Sequence, residues 1–339
     1  MRKNYRHIPL FFPFVSAEMK QAAYDALGEK IIGQGKKVDE FEKLLNLTLG
    51  TRNLLTVNSC TSALELSFHL LNLKPGDEVI TPVFTFAGAN IPLLRRGVKI
   101  VFADVKDNLL MDWNDALKKI TPKTRAVVNV HLFDQRNEGR KLPIPIVGDA
   151  AQYLGKTHGE TFTAYSFQAT KILTTVDGGA LICKRQKDYK RAKLLRFYGI
   201  DRERKKDNID VDITEAGYKY HMNNVTAAIG IEALKILDNL KHERALLQNR
   251  YRQLLGGFGG SPYLVYVPNR EKLKLKLASL GIETGLMLRR NDLYSIFGGK
   301  RQNLPNMNRL EDTYLFLPCH NHMSIKDVEF ISSAVKKNL

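Results

Sequence analysis

Between Leu54 and Lys184, short apolar and β-branched runs alternate with stretches of helical spacing. "LLTV" reads as a strand, and "TSALELSFHLLN" as a helix whose Leu64, Phe68 and Leu71 fall on one face. The turn "KPGDE" closes that helix and leads into "VITP". Further strands are predicted at "VKIVFADV", "RAVVNVHLF", "IPIVGDA", "FTAYSF" and "GGALICK", seven in all. Strands separated by helices build a mainly parallel sheet sandwiched by helices, and seven strands are more than a small binding module needs. After Lys184 the pattern turns helical through about Arg250, most clearly from Tyr220 to Leu240. From about Tyr251 it mixes a strand-like "YLVYV", a helix over Glu271 to Leu280, a loop-rich middle and a closing helix, "SIKDVEFISSAVKK". The expected division is a large α/β domain over 1–240 and a smaller C-terminal α+β domain over 241–339.

Composition agrees with a globular protein that needs no staples: 339 residues, 44% hydrophobic and 26% charged. The three cysteines, Cys60, Cys183 and Cys319, have wide, unrelated spacings that indicate neither a disulfide framework nor a zinc site and make a reducing cytoplasm the expected setting. A basic start before a short apolar run resembles a secretory leader. Pro9 and Pro13 interrupt that run, however, and the helical pattern from Ala17 continues into "KVDEFEKLL", so the segment is expected to belong to the fold. No other stretch is apolar for the roughly 18 residues that spanning a bilayer requires. The net charge of +17 points to anionic partners. Much of it lies between Lys184 and Lys206, with more at Arg270 to Lys276 and at Arg289 and Arg290. Such clusters are often solvated helix faces, and no helix-turn-helix, zinc-finger or RNP-like pattern accompanies them. A phosphorylated small substrate needs only a few of these residues.

Three places carry candidate chemistry. At "NSCTSA" a strand runs into a helix through small and hydroxyl residues, so free backbone N–H groups with the Thr61 and Ser62 hydroxyls make either a phosphate cradle or an ordinary N-cap. Asp149 follows a β-like run and precedes small residues, which puts it at the carboxyl end of a strand or at a helix cap. Lys171 also follows a strand and is flanked by small, polar residues. A cradle, a strand-end carboxylate and a strand-end lysine, in that order, suit pyridoxal phosphate. The lysine can condense with its aldehyde, the carboxylate can keep its ring nitrogen protonated, and the cradle can hold its phosphate.

The chain resembles the DegT/DnrJ/EryC1/StrS sugar aminotransferases of the fold-type I pyridoxal phosphate superfamily. The likeness runs through "GQGKKVDEFEK", "VNSCTSALEL", "PGDEVITPVFTFAGAN", "VFADV", "VNVHLF", "GDAAQ", "YSFQATKIL", "DGGALI", "LLRFYG", "GYKYHMNNVTAAIGI" and "LPCHNHMS". By that resemblance Lys171 carries the cofactor and shuttles protons, Asp149 faces the ring nitrogen, and Gln152 contacts the ring 3-oxygen. Phe86 would stack on the ring, and Cys60, Thr61 and Ser166 would bind the phosphate. The resemblance also implies a homodimer in which "GYKYHMNN" reaches the partner's phosphate, a nucleotide-diphosphate keto-sugar as substrate and glutamate as amino donor. Arg202, Arg204, Arg289 and Arg290 are the expected diphosphate ligands, because the planar guanidinium binds phosphate oxygens in pairs.

The departures from the family pattern are specific. Lys219 stands where asparagine is usual, Cys60 where glycine is, and Gln168 and Ala169 where His-Pro is. "RNEGRKLPIPIV" is shorter than the usual segment and is expected to lose one covering helix, and "GIETGLMLRRND" lacks a His-Tyr-Pro run. Sugar dehydratases of the family replace the lysine with histidine, which the presence of Lys171 counts against. Two readings stay open beside transamination: a binding or regulatory protein that has lost catalysis, and an enzyme acting on a nucleotide or nucleic-acid-linked substrate.

Overall fold

The computed structural model of the protein describes residues 7–206 and 210–339. The basic start of the leader-like segment, residues 1–6, lies outside them. In chain order the strands are β1 (Leu54–Val57), β2 (Glu78–Pro82), β3 (Phe84–Thr85), β4 (Lys99–Ala103), β5 (Thr124–Val130), β6 (Ile146–Ala150), β7 (Phe162–Ser166), β8 (Gly179–Cys183), β9 (Tyr263–Tyr266), β10 (Arg289–Arg290) and β11 (Tyr314–Leu317). The seven predicted strands form one sheet, ordered β1-β8-β7-β6-β5-β2-β4. Only β8 runs antiparallel to its neighbours, because β7 reaches it through a helix-free loop rather than a crossover.

Side chains alternate across this sheet as the pleat requires. Leu55, Val57, Ala164 and Leu181 enter one apolar cluster with Phe68 of helix Cys60–Leu70. Leu54, Tyr165 and Ala180 enter the opposite one, with Phe41 and Leu45 of helix Lys36–Leu49 and Ile229 of helix Asn224–Lys235. Gly179 is needed where β8 passes beneath helix Cys60–Leu70: an added Cβ would come within 2.6 Å of the Cys60 nitrogen and 2.7 Å of the Tyr165 carbonyl oxygen.

The shortened segment carries no helix between β5 and β6. Leu142 and Ile144 instead lie partly buried against Ile80, Trp113, Val127 and Ile146. A buried polar network supports this connection. His131 donates from Nε2 to Glu160 Oε1 at 2.9 Å and accepts the Asn137 N–H at 3.1 Å, while Asn129 bonds both Asn137 and Glu160. With the helix gone, these side chains satisfy polar groups that would otherwise be buried unpaired.

In the C-terminal part β9 pairs antiparallel with β11. Tyr251, Tyr263, Val265, Leu273, Leu315 and Ile331 pack there under helices Leu237–Leu255, Arg270–Ser279 and Ile325–Lys336. The expected boundary at residue 240 falls inside helix Leu237–Leu255, which is continuous through it. β10 pairs with β3, and Leu264, Met307, Tyr314 and Phe316 join the core of the large sheet. The two parts therefore close on each other across the carboxyl edge of the sheet. Among the described residues no helix is long and apolar enough to cross a membrane.

Candidate active site

Strands β1, β6 and β7 point the same way, so the chain segments that follow them meet at one edge. Asp149 is the penultimate residue of β6 and is buried. Its Oδ1 accepts the Ala151 N–H at 3.0 Å and lies 3.8 Å from Cys60 Sγ, and no cation is bonded to it among the described residues. Burial pushes its carboxyl above the usual aspartate range, with the Ala151 N–H and the Lys171 charge pulling the other way. Lys171 follows β7 in a turn that Gln168 closes, its Oε1 accepting both the Thr170 N–H at 2.9 Å and the Thr170 hydroxyl at 2.7 Å. Gln168 thus gives the turn a side-chain closure where the family has His-Pro. Burial lowers the Lys171 pKa, against the opposing pull of Cys60, Asp149 and Asp134, so more of the amine is neutral than in an ordinary lysine.

Lys171, Gln152 and Ser166 line one cleft, together with Ala151, Asp134 and Arg244. Gln152 Oε1 is buried there without a hydrogen-bond partner. Phe86, which follows β3, is 64% exposed and offers a bare aromatic face. Its ring crowds Gly88, where a Cβ would lie 2.7 Å away, and the same point is 3.5 Å from Thr61 Oγ1. At the start of helix Cys60–Leu70, Ser59 caps the Ser62 N–H at 3.1 Å. The N-cap and the cradle are therefore neighbouring features of one helix end. The Cys60 thiol faces Asp149, and burial followed by the Asp149 charge raises its pKa well above the usual value. A phosphate contact from Cys60 is thus left to its backbone.

Of the four arginines, Arg290 requires correction. It is fully buried and held by Asp292 through Nε and Nη2 at 2.7 and 2.6 Å, by Asn308 at 2.6 Å and by Glu311 at 3.0 Å. Its donors are committed to the fold and present no face to a diphosphate. Arg289, its strand neighbour, is exposed, stacks over Tyr294 and pairs with Thr85, one residue before Phe86. Arg202 stacks on Phe197 and donates to the Gln34 carbonyl at 3.2 Å, beside a separate cavity of about 440 Å³. Arg204 is exposed, and neither it nor Arg202 lines the Lys171 cleft of its own chain. Lys219 is also exposed and outside that cleft; Asn58 N–H, donating to the Tyr220 carbonyl at 2.7 Å, ties its segment to the cradle helix. Replacing Arg290 with methionine should destabilise the protein by about 3–5 kcal/mol, because Asp292 and Glu311 lose a buried partner. Denaturant unfolding reads the loss, and the Michaelis constant for the sugar should not move.

Sequence reasoning passed over Asp134 and Arg244. Asp134 has a left-handed φ of 56°, unusual for a residue with a side chain, and its carboxylate stands at the cleft. Neither residue lies in a motif that marks it; the fold brings both beside Lys171.

The donor set fits pyridoxal phosphate. Asp149 has an acceptor free for a ring N–H, Gln152 has an unmet polar atom, Phe86 a bare face, and Thr61 an uncommitted hydroxyl among the described residues. Fold and site together define a pyridoxal-phosphate-dependent transferase of the aminotransferase type. The family model for the DegT/DnrJ/EryC1/StrS aminotransferase family matches residues 13–336, and the chain belongs to that family. Among its relatives is a UDP-4-amino-4,6-dideoxy-N-acetyl-beta-L-altrosamine transaminase of Campylobacter jejuni, 29% identical, with 91% of this chain and 92% of the relative covered. A UDP-4-amino-4-deoxy-L-arabinose--oxoglutarate aminotransferase of Shewanella sediminis is 27% identical, with 97% of each covered. The crystal structure of the sugar aminotransferase CalS13 from Micromonospora echinospora superposes with a TM-score of 0.90 at 28% identity, covering 98% of this chain and all of that one.

Proposed function

We propose that the protein transfers an amino group from glutamate to the ketone of a nucleotide-diphosphate sugar, giving an amino-sugar. The observation that carries this reading is the convergence of Lys171 and Asp149 at one edge of the sheet, the lysine in a cleft and the carboxylate without a bonded cation. When bound, pyridoxal phosphate supplies an electron sink for the electrons released at the donor's α-carbon. Asp149 holds the proton on the ring nitrogen, where an anion is worth most because the site is buried. Gln152 orients the ring by donating its side-chain N–H to the ring 3-oxygen, and Phe86 covers one face and excludes water. Lys171 Nζ, its pKa lowered by burial, takes the proton from the donor's α-carbon and returns it to the carbon that receives the amine. The relatives' names support a UDP-type sugar and a glutamate/oxoglutarate pair. Arg289, exposed beside β3, is the diphosphate ligand in this reading among the four expected arginines. The test is a panel of nucleotide keto-sugars with glutamate, the products identified by mass and NMR; failure of every sugar to gain nitrogen would overturn the reading.

The basic run from Lys184 to Lys206 is partly neutralised: Arg185, Arg191, Lys193 and Arg196 pair with Asp188, Glu215, Glu203 and Glu42. That favours a small anionic substrate over an extended nucleic acid. The active species in this reading is a cytoplasmic homodimer. Exposed Tyr198, Ile31 and Ile32 support the dimer: Tyr198 is bonded to the chain beside Lys219, and the Ile31 and Ile32 carbonyls to Asn224. The three buried free cysteines support a reducing compartment. Mixing inactive Lys171→Ala subunits with inactive Lys219→Ala subunits should restore part of the activity through hybrid dimers. A fully active monomer by light scattering at assay concentration would refute the shared site.

A further inference from the structure

Cys60 is the first residue of helix Cys60–Leu70, directly after the Ser59 cap. Helical side chains lean toward the N-terminus, so its thiol projects past the helix end. The helix packs on β8, β7 and β6, and the thiol meets Asp149 of β6. Sγ donates to Asp149 Oδ1 at 3.8 Å, and the Ala151 N–H donates to the same oxygen at 3.0 Å. Oδ2 accepts from no group among the described residues. One carboxylate oxygen is therefore fixed from two sides, by the end of a strand and the start of a helix, and the other is left for a ligand.

The thiol suits this place. Both residues are buried, and burial followed by the Asp149 charge keeps the thiol protonated, so it faces the carboxylate as a donor and not as a second anion. The titratable groups that act on Asp149 are Cys60, Lys171 and His131. The Ala151 N–H, Lys171 and His131 each lower the Asp149 pKa more than the thiol does. A thiol is a weak donor, and it steadies the carboxylate while drawing off little of its charge. Glycine, the family's residue here, would leave that side of the carboxylate open to water, a stronger donor.

We propose that Cys60 is a positioning residue for Asp149: its thiol holds Oδ1 to the cradle helix and shields it, so that Oδ2 keeps its aim at the cofactor's ring nitrogen. The role rests on the aminotransferase reading through Asp149, and its test is chosen to fail separately.

Cys60→Ala should lower turnover about 3- to 10-fold, less than the usual worth of a bond to a charged group because a thiol donates weakly. The Michaelis constant for the sugar should not move. Cys60→Ser should not restore turnover, because a shorter O–H falls short of an oxygen already 3.8 Å from the sulfur. In an Asp149→Asn background Cys60→Ala should cost nothing further, since its effect passes through the carboxylate. A readout independent of turnover is NMR of an isotopically labelled ring nitrogen in the cofactor-loaded protein. As pH rises, that nitrogen should lose its proton at lower pH in Cys60→Ala than in the wild type, because a loosened carboxylate holds the positive charge less well. An unchanged ring-nitrogen titration, an equal loss in the Asp149→Asn background, or full rescue by serine would overturn the role. So would an affinity loss seen for pyridoxal phosphate and not for phosphate-free pyridoxal, which would place the thiol at the phosphate. A displaced ring-nitrogen titration in Cys60→Ala, with a wild type that aminates no sugar, would overturn the aminotransferase reading and leave the positioning role standing.

Discussion

Lys171→Ala should lose at least about 10³-fold in turnover with any sugar, since one side chain is removed as both cofactor anchor and proton carrier. Borohydride reduction of the wild type should attach the cofactor irreversibly to the peptide containing Lys171, and the variant should release it on dialysis. Normal transamination by Lys171→Ala would end the mechanism proposed here. A pH dependence accompanies the same residue. Capture of the cofactor needs the neutral amine, and burial lowers the Lys171 pKa below that of an ordinary lysine. Its neutral fraction therefore saturates at lower pH as pH rises. Stopped-flow cofactor uptake by the apoprotein should level off correspondingly early, whereas uptake still rising through the ordinary lysine range would contradict the enclosed geometry.

Asp149→Asn should keep the fold but lose about 10²- to 10³-fold in turnover, the size expected when a charge aimed at a developing transition state is removed. An amide can still accept a hydrogen bond, but it cannot hold a positive charge on the ring nitrogen. In the apoprotein, burial raises the Asp149 pKa, so the carboxylate is lost at higher pH than an ordinary aspartate as the solution is acidified. Cofactor affinity should accordingly weaken on acidification before exposed aspartates titrate. Equal turnover in Asp149→Asn and wild type would remove Asp149 from this role.

The sheet was legible because each of its strands is a short, β-branched run bounded by turn residues, from "LLTV" to "GGALICK". Helices were legible in position but less so in extent. The amphipathic stretch expected from Tyr220 to Leu240 is two helices that part at Ile236, and the second continues to Leu255. A one-residue break leaves the apolar spacing almost intact, so periodicity alone does not reveal it. β10 and β11 escaped notice for another reason. A two-residue strand has no period, and "YLFL" is apolar throughout because both of its faces are covered.

By itself, then, the sequence determined the seven strands, the strand-end position of Asp149 and the likeness to sugar aminotransferases, because strand runs and motif order are local properties of the chain, whereas Lys171, expected at a strand end, lies five residues past β7 in a turn. The tertiary structure decided how neighbours in sequence divide their work. Arg289 and Arg290 read as one basic pair, yet successive residues of a strand face opposite sides, so one lies in solvent and the other is locked between Asp292 and Glu311. Cys60 sits in a cradle motif, but its thiol turns inward to Asp149. Arg244 is an unremarkable helix residue until folding sets it in one cleft with Lys171, some seventy positions earlier in the chain. Such convergence depends on how the C-terminal part closes over the sheet edge, a long-range packing outcome that no local pattern encodes.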